Sequence, residues 1–247
     1  MDIQPPFGYK EIAPLNRNQK VRLLRPGELP EFVRNLNAIP ISYTEFAPAS
    51  REYPVIFAAV AENRQVYAPV AALGLAAGEN LYDNGGAWAS GVYVPAYVRR
   101  FPFCMAKVTF DKVEQQNRLI CVEKAHLDEA AGEAMFDAKG QPTERWKDIE
   151  RLLSEYEADL ERSREMCGIL ADYGLLEPFT MQAKLNKGGD PLAMTGMFRV
   201  AEAKIEHLNA SQLKNLVKKG ILSRIYAHLL SLENFARLLD RKAAKAA

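Results

Sequence analysis

The sequence predicts an α+β protein: a largely antiparallel sheet from the N-terminal half, with a long amphipathic helix and C-terminal helices packed on it. Three observations carry this expectation. In the first half, two pairs of short apolar segments are each joined by a polar connection, as in hairpins. From Thr143 onward the apolar residues recur in steps of three and four. The last part of the chain carries two more runs of helical period, separated by Gly220.

Taken in order, residues 1–50 are rich in proline and loop-like, with one short amphipathic helix expected at "LPEFVRNLN". "YPVIFAAVAE" and "QVYAPVAALGL" flank Asn63 and Arg64 as the arms of a hairpin. Pro69 has no N–H to give a ladder, which points to an edge position or a bulge in the second arm. "PFCMAKVTF" and "RLICVE" repeat the arrangement across the polar "DKVEQQN". Thr143 suits a helix N-cap, and Trp146, Ile149, Leu153, Tyr156, Leu160, Ser163, Cys167 and Leu170 then mark one face of a helix ending near Gly174. A coiled coil uses the same spacing, but bulky aromatics and Ser163 interrupt the seam, so the stripe is expected to pack across the sheet. "PLAMTGMFRVA" alternates as a strand does. "NASQLKNLVKKG" and "GILSRIYAHLLSLENFARLLDRK" read as two final helices, followed by a fraying "KAAKAA". One domain is expected over 1–247, loop-rich in 1–50, mostly strands in 51–142 and mostly helices in 143–247.

Composition narrows the function classes. With 48% hydrophobic and 26% charged residues the chain has the makings of a globular core. A formal net charge of +1 creates no global field for nucleic acid or an anionic membrane, so no nucleic-acid partner is expected. Cys104, Cys121 and Cys167 show no paired spacing and lie among apolar residues, as buried free thiols of a reducing compartment do. The N-terminus has no apolar h-region, and the longest apolar run, "PVAALGLAAG", is too short to span a bilayer. A cytoplasmic protein without a transmembrane segment is expected, with unconventional export to the cell surface as an open route.

The densest cluster of chemistry is "YVPAYVRRFPF", residues 93–103. Pro95 suits the start of a helix and Pro102 its end, which leaves Ala96 to Phe101 about one turn. Tyr97 and Arg100 would share one side, with Val98 and Phe101 toward the core. As a site, Arg99 or Arg100 would hold a carboxylate or phosphate between walls of Trp88, Tyr93 and Tyr97. As structure, the arginines would pair with Glu79 or Asp83 and hold the glycine-rich loop. Adjacent helical side chains point about 100° apart, so the two arginines should have unequal roles. "LYDNGGAWASG" lacks the order of a nucleotide-binding loop, and Asn84 with Gly85 reads as a turn. His126, His207 and His228 lie at no metal-ligand spacing, so no metal or other cofactor is expected. His228, flanked by core positions, needs a hydrogen-bond partner and reads as a structural histidine. No catalytic triad can be assembled.

Several of these stretches carry a resemblance. The Leu-Gly-Leu and Glu-Asn-Leu run at 73–81, Trp88 followed by Tyr-Val-Pro-Ala-Tyr to 97, and Arg-Arg-Phe-Pro-Phe at 99–103 resemble the SapC family of bacterial proteins. "MFDAKG", and the Tyr-Ala-His-Leu and Ser-Leu-Glu-Asn of 226–234, extend the resemblance over most of the chain. It implies a setting at a bacterial surface layer or a TonB-dependent uptake system, with other proteins of that system as partners. It supplies no catalytic residues, and the missing membrane spans separate it from the peptide-transport permease of the same name. Two functions follow: a non-catalytic binding or assembly protein of such a system, or an enzyme or small-ligand binder with an anion-accepting pocket near Arg99 and Arg100.

Overall fold

In the computed structural model, residues 2–60, 66–106, 108–110, 113–114, 118–183 and 192–245 are described. In chain order the first strands are β1 (Asp2–Ile3), β2 (Ile12–Pro14), β3 (Lys20–Val21), β4 (Ala38–Pro40), β5 (Val55–Ala59) and β6 (Tyr67–Ala72). They are followed by β7 (Phe103–Ala106), β8 (Val108–Phe110), β9 (Val113–Glu114), β10 (Leu119–Glu123), β11 (Glu133–Ala134), β12 (Leu176–Ala183) and β13 (Leu192–Val200). The helices are α1 (Phe46–Ala49), α2 (Ala96–Arg99), α3 (Glu144–Asp172), α4 (Ala210–Lys218), α5 (Ile221–Ser231) and α6 (Asn234–Lys245). The class is α+β, as the sequence predicts.

Every described strand pairing is antiparallel. The largest sheet has the order β12-β13-β5-β6-β4, and a second has the order β2-β10-β7. Both expected hairpin pairs form, β5 with β6 and β7 with β10, while Asn63 and Arg64 lie outside the described residues. The large sheet draws two strands from the C-terminal half, and of these β12 escapes the alternation rule. Pro178 and a register shift between Phe179 and Met181 break its period. Pro69 is a correction: β6 is an inner strand, between β5 and β4. Its carbonyl accepts from Ile41, one residue beyond the end of β4, so its missing N–H faces a ladder that is already ending.

Helix α3 begins as its sequence dictates, with Thr143 Oγ1 accepting the Trp146 N–H at 3.2 Å. It ends in a Schellman turn, in which Gly174 at φ 64° bonds back to Ala171 and Leu175 to Leu170. Its 29 residues span about 43 Å and serve two cores. Trp146 and Leu153 pack with Val21, Phe103, Val122 and Met135 near the three-stranded sheet. Tyr156, Met166, Cys167 and Leu170 join the main core of the five-stranded sheet and the C-terminal helices. Ser163, which interrupts the apolar stripe, is buried because its hydroxyl bonds to the Asp159 carbonyl at 2.8 Å.

The segment 29–37 forms a short 3-10 helix, Glu31–Asn35. The C-terminal run needs two corrections. It divides at Leu232 and Glu233 into α5 and α6, because Ser231 and Asn234 turn inward to bond Val55, Ser50 and Tyr53. The tail does not fray where expected: α6 continues to Lys245, and residues 246–247 lie outside the described part. Lys242 pairs with Glu79, and Lys245 donates to the carbonyls of Asn80 and Asp83, which ties the helix end to the glycine-rich loop.

Candidate functional site

Helix α2 has four residues, too few to hold itself together. A buried carboxylate from far upstream fixes it. Glu45 Oε1 accepts the Ala96 N–H at 2.6 Å and the Tyr93 hydroxyl at 2.9 Å. Its Oε2 accepts the Ser42 N–H at 2.7 Å and the Ser42 hydroxyl at 2.9 Å. Burial pushes the Tyr93 phenol up, and the adjacent Glu45 carboxylate pushes it further. The Ser-Tyr-Thr-Glu of 42–45 is a capping-box signature, so a signal for Glu45 existed, but nothing local indicates that it also caps a helix 51 residues away.

From α2 the two arginines diverge. Arg100 is 4% exposed, with its guanidinium carbon 4.2 Å from the Tyr97 ring centroid, 4.9 Å from Tyr156 and 5.5 Å from Tyr9. Glu157 on α3 is its carboxylate, at 3.9 Å, and Glu157 also pairs with Arg118. Arg99 is exposed, donates to the Val94 carbonyl at 3.0 Å and the Tyr93 hydroxyl at 3.2 Å, and has no carboxylate among the described residues. The expected pairing of either arginine with Glu79 or Asp83 is therefore corrected. Glu79 takes Lys242 and the Leu75 N–H, and Asp83 takes Arg34 at 3.0 Å and the Gly86 N–H at 2.6 Å. Those acids face α6 and the 3-10 helix at 31–35, so they are spent before α2 could reach them.

The remaining candidates separate by burial. Trp88 is 6% exposed, donates to the Tyr53 hydroxyl at 3.0 Å and stacks on Tyr82. Tyr97 is buried, and its hydroxyl donates to the Phe7 carbonyl at 2.5 Å. His228 is wholly buried, with Nδ1 2.6 Å from the Val55 carbonyl and Nε2 3.1 Å from the Val200 N–H. A carbonyl only accepts and an amide N–H only donates, so the neutral ring carries its proton on Nδ1. Burial holds its pKa at about 4. Burial also pushes Cys104, Cys121 and Cys167 to about 12, 11 and 12, far from the thiolate that nucleophilic chemistry needs.

Beside α2 lies a half-open cleft of about 360 Å³, within the size range of small-ligand sites. Leu23, Leu24, Leu29, Val94, Val98, Phe101, Ile149 and Leu152 give it apolar walls, and an edge of Trp88 reaches it. Arg25, Arg99 and Arg145 line the same cleft, against one carboxylate, Glu28. Glu28 accepts the Arg25 N–H at 2.9 Å, and among the described residues Arg145 pairs with Glu133 alone, at 3.9 Å and outside the cleft lining. Arg100 contributes to the wall, but the three tyrosines around its guanidinium do not line the cleft. Trp88, Arg99 and Arg100 thus meet at one place, with Tyr93 and Tyr97 behind them as supports. Arg25 and Arg145 were missed because no local motif joins residues 120 positions apart, and only the fold brings them together.

An α+β fold with an arginine-lined apolar cleft is the class that these features define. The chain belongs to the SapC family, whose model matches residues 17–238. No curated protein and no solved structure matches it.

The stretches that carry the family resemblance have structural tasks here. A Cβ on Gly74 would lie 2.1 Å from the Glu79 carbonyl oxygen, so only glycine lets the Leu-Gly-Leu segment close against Glu-Asn-Leu. Asn80 then donates to the Val33 carbonyl and accepts from Tyr82. Asp137 of "MFDAKG" closes its own turn on Lys139 and Gln141.

Proposed function

We propose that this SapC-family chain is a non-catalytic binding protein of a bacterial surface-layer or TonB-dependent uptake system, and that its cleft takes a small anion with an apolar body. The observation that carries this reading is the composition of one cavity. Apolar walls reward burial of a hydrocarbon or aromatic body, and the guanidinium groups of Arg25, Arg99 and Arg145 offer charge-assisted hydrogen bonds to a carboxylate, sulfonate or phosphate. A single acid among them leaves the cleft cationic although the chain as a whole is near neutral. Arg99 keeps its charge available for a ligand, since the Val94 carbonyl and the Tyr93 hydroxyl hold it in place without neutralising it.

The surface-layer or uptake setting rests on the family, and the ligand class rests on the cleft. Both are tested by purifying the chain from its native cells and identifying co-purifying small molecules by mass spectrometry. The reading expects an anionic amphiphile with the wild-type chain, depleted in Arg99→Ala. Recovery of the same molecules with both proteins, or of neutral and cationic ones only, would count against it.

A further inference from the structure

A second surface, on α4 and α5, has a different chemistry. Eight large hydrophobic residues are exposed among the described residues, and four of them, Leu213, Val217, Tyr226 and Leu230, fall within one short segment. Val217 is 59% exposed and Leu230 70%. On each helix the two residues are four apart and share a side. On α5 the buried Ile221, Ile225 and His228 mark the far side from this pair, and on α4 the buried Leu216 lies beside the exposed pair, where the helix meets the core.

The charges of this segment are one-sided. No acidic residue occurs between Glu206 and Glu233, whereas Lys214, Lys218, Lys219 and Arg224 all lie there. Lys219 pairs with Glu165, and Arg224 lies over the Tyr43 ring. Lys214 and Lys218 have no ion pair among the described residues, and they follow Leu213 and Val217 directly along α4. A near-neutral total charge conceals this local excess.

We infer that the α4–α5 surface is an attachment face for an anionic lipid bilayer, with Leu213, Val217, Tyr226 and Leu230 entering the headgroup region and Lys214 and Lys218 meeting lipid phosphates. Interleaved lysines and exposed apolar residues are the pattern of helices that lie on membranes. Lysine is depleted from protein–protein interfaces, which makes another protein a poorer fit. Attachment would be peripheral, because no described helix is long and apolar enough to cross a membrane. The inference stands independently of the cleft.

Co-sedimentation of the full chain with lipid vesicles tests it. The chain should bind vesicles containing phosphatidylglycerol, bind vesicles of phosphatidylcholine alone about tenfold more weakly, and release at high salt. The double variants Val217→Glu with Leu230→Glu, and Lys214→Glu with Lys218→Glu, should each lose about tenfold or more of this binding. Lys214→Arg should retain it. The four substituted residues, Lys214, Val217, Lys218 and Leu230, are all exposed, so circular dichroism melts should match the wild type. Absence of binding to the anionic vesicles, or binding that survives both double variants, would overturn the inference. A dimer that Val217→Glu dissociates, in a chain that does not bind vesicles, would assign the face to a second copy instead.

Discussion

Val55 and Val200 face each other across the seam between β5 and β13, and the imidazole of His228 stands in place of their direct hydrogen bond. The strands pair at Phe57 with Phe198 and at Ala58 with Met197, and the register then brings Val55 opposite Val200. There the Val200 N–H donates to Nε2 and Nδ1–H donates to the Val55 carbonyl. The Val55 N–H goes to the Ser231 hydroxyl at 2.9 Å. One turn of α5 thus completes a rung that the two strands leave open.

This rung should make stability depend on pH. The folded pKa of His228 is depressed from 6.5 to about 4, so the unfolded chain binds more protons between those values. The contribution is fully present above about pH 6.5, and on the order of 3 kcal/mol is lost as pH falls toward 4. His126, also lowered by burial, acts in the same direction. Urea melts across this range should show the loss, and His228→Gln should reduce its slope. An unchanged slope would show that the ring titrates normally.

Arg99 and Arg100 should separate in a stability assay. Arg100→Ala leaves the half-buried Glu157 with one partner fewer and empties the tyrosine cage, at a cost on the order of 3 kcal/mol. Arg99→Ala should cost less than about 0.5 kcal/mol, as exposed substitutions do. Denaturant melts of the two variants measure this directly, and equal costs would refute the assignment of separate tasks.

Gly74→Ala should destabilise by about 1–3 kcal/mol, because backbone cannot retreat from the new Cβ as a flexible side chain can. Gly78→Ala, where no atom stands within 4 Å but φ is 75°, tests backbone strain without the collision. The collision reading expects Gly74→Ala to be the more damaging of the two in thermal melts.

Leu153 is 1% exposed under the three-stranded sheet, and Leu153→Ala should cost about 2–5 kcal/mol. A loss below about 0.5 kcal/mol would place it at the surface instead.

The elements legible in the sequence are those whose signals are local. Thr143, the three-and-four spacing to Leu170 and Gly174 specify α3 from cap to stop, and two alternating pairs specify the hairpins of β5–β6 and β7–β10. Long-range contacts were not legible. Pro69 reads as an edge residue because nothing near it reveals that β4 ends at the point its missing N–H would reach. The division between α5 and α6 depends on Ser231 and Asn234 bonding residues 50–55, which no helical period encodes. At the candidate site, "YVPAYVRRFPF" marks the right neighbourhood because aromatics and arginines concentrate there. Glu45, Arg25 and Arg145 join it only through the fold. Arg100 shows the limit of reading charge as function, since its neutralising partner lies on another helix 57 positions away.

The central claim is that the cleft beside α2 selects an anion with an apolar body. Titration of the chain with dodecanoate and with dodecanol, followed by the fluorescence of Trp88 against a Trp88→Phe control, tests it most directly. The same chain length in both ligands isolates the charge. Dodecanoate should bind about tenfold or more tightly than dodecanol, and Arg99→Ala should erase most of that difference while leaving dodecanol unchanged. Equal affinities for the two ligands, or a preference for dodecanoate that survives Arg99→Ala, Arg25→Ala and Arg145→Ala together, would contradict the account.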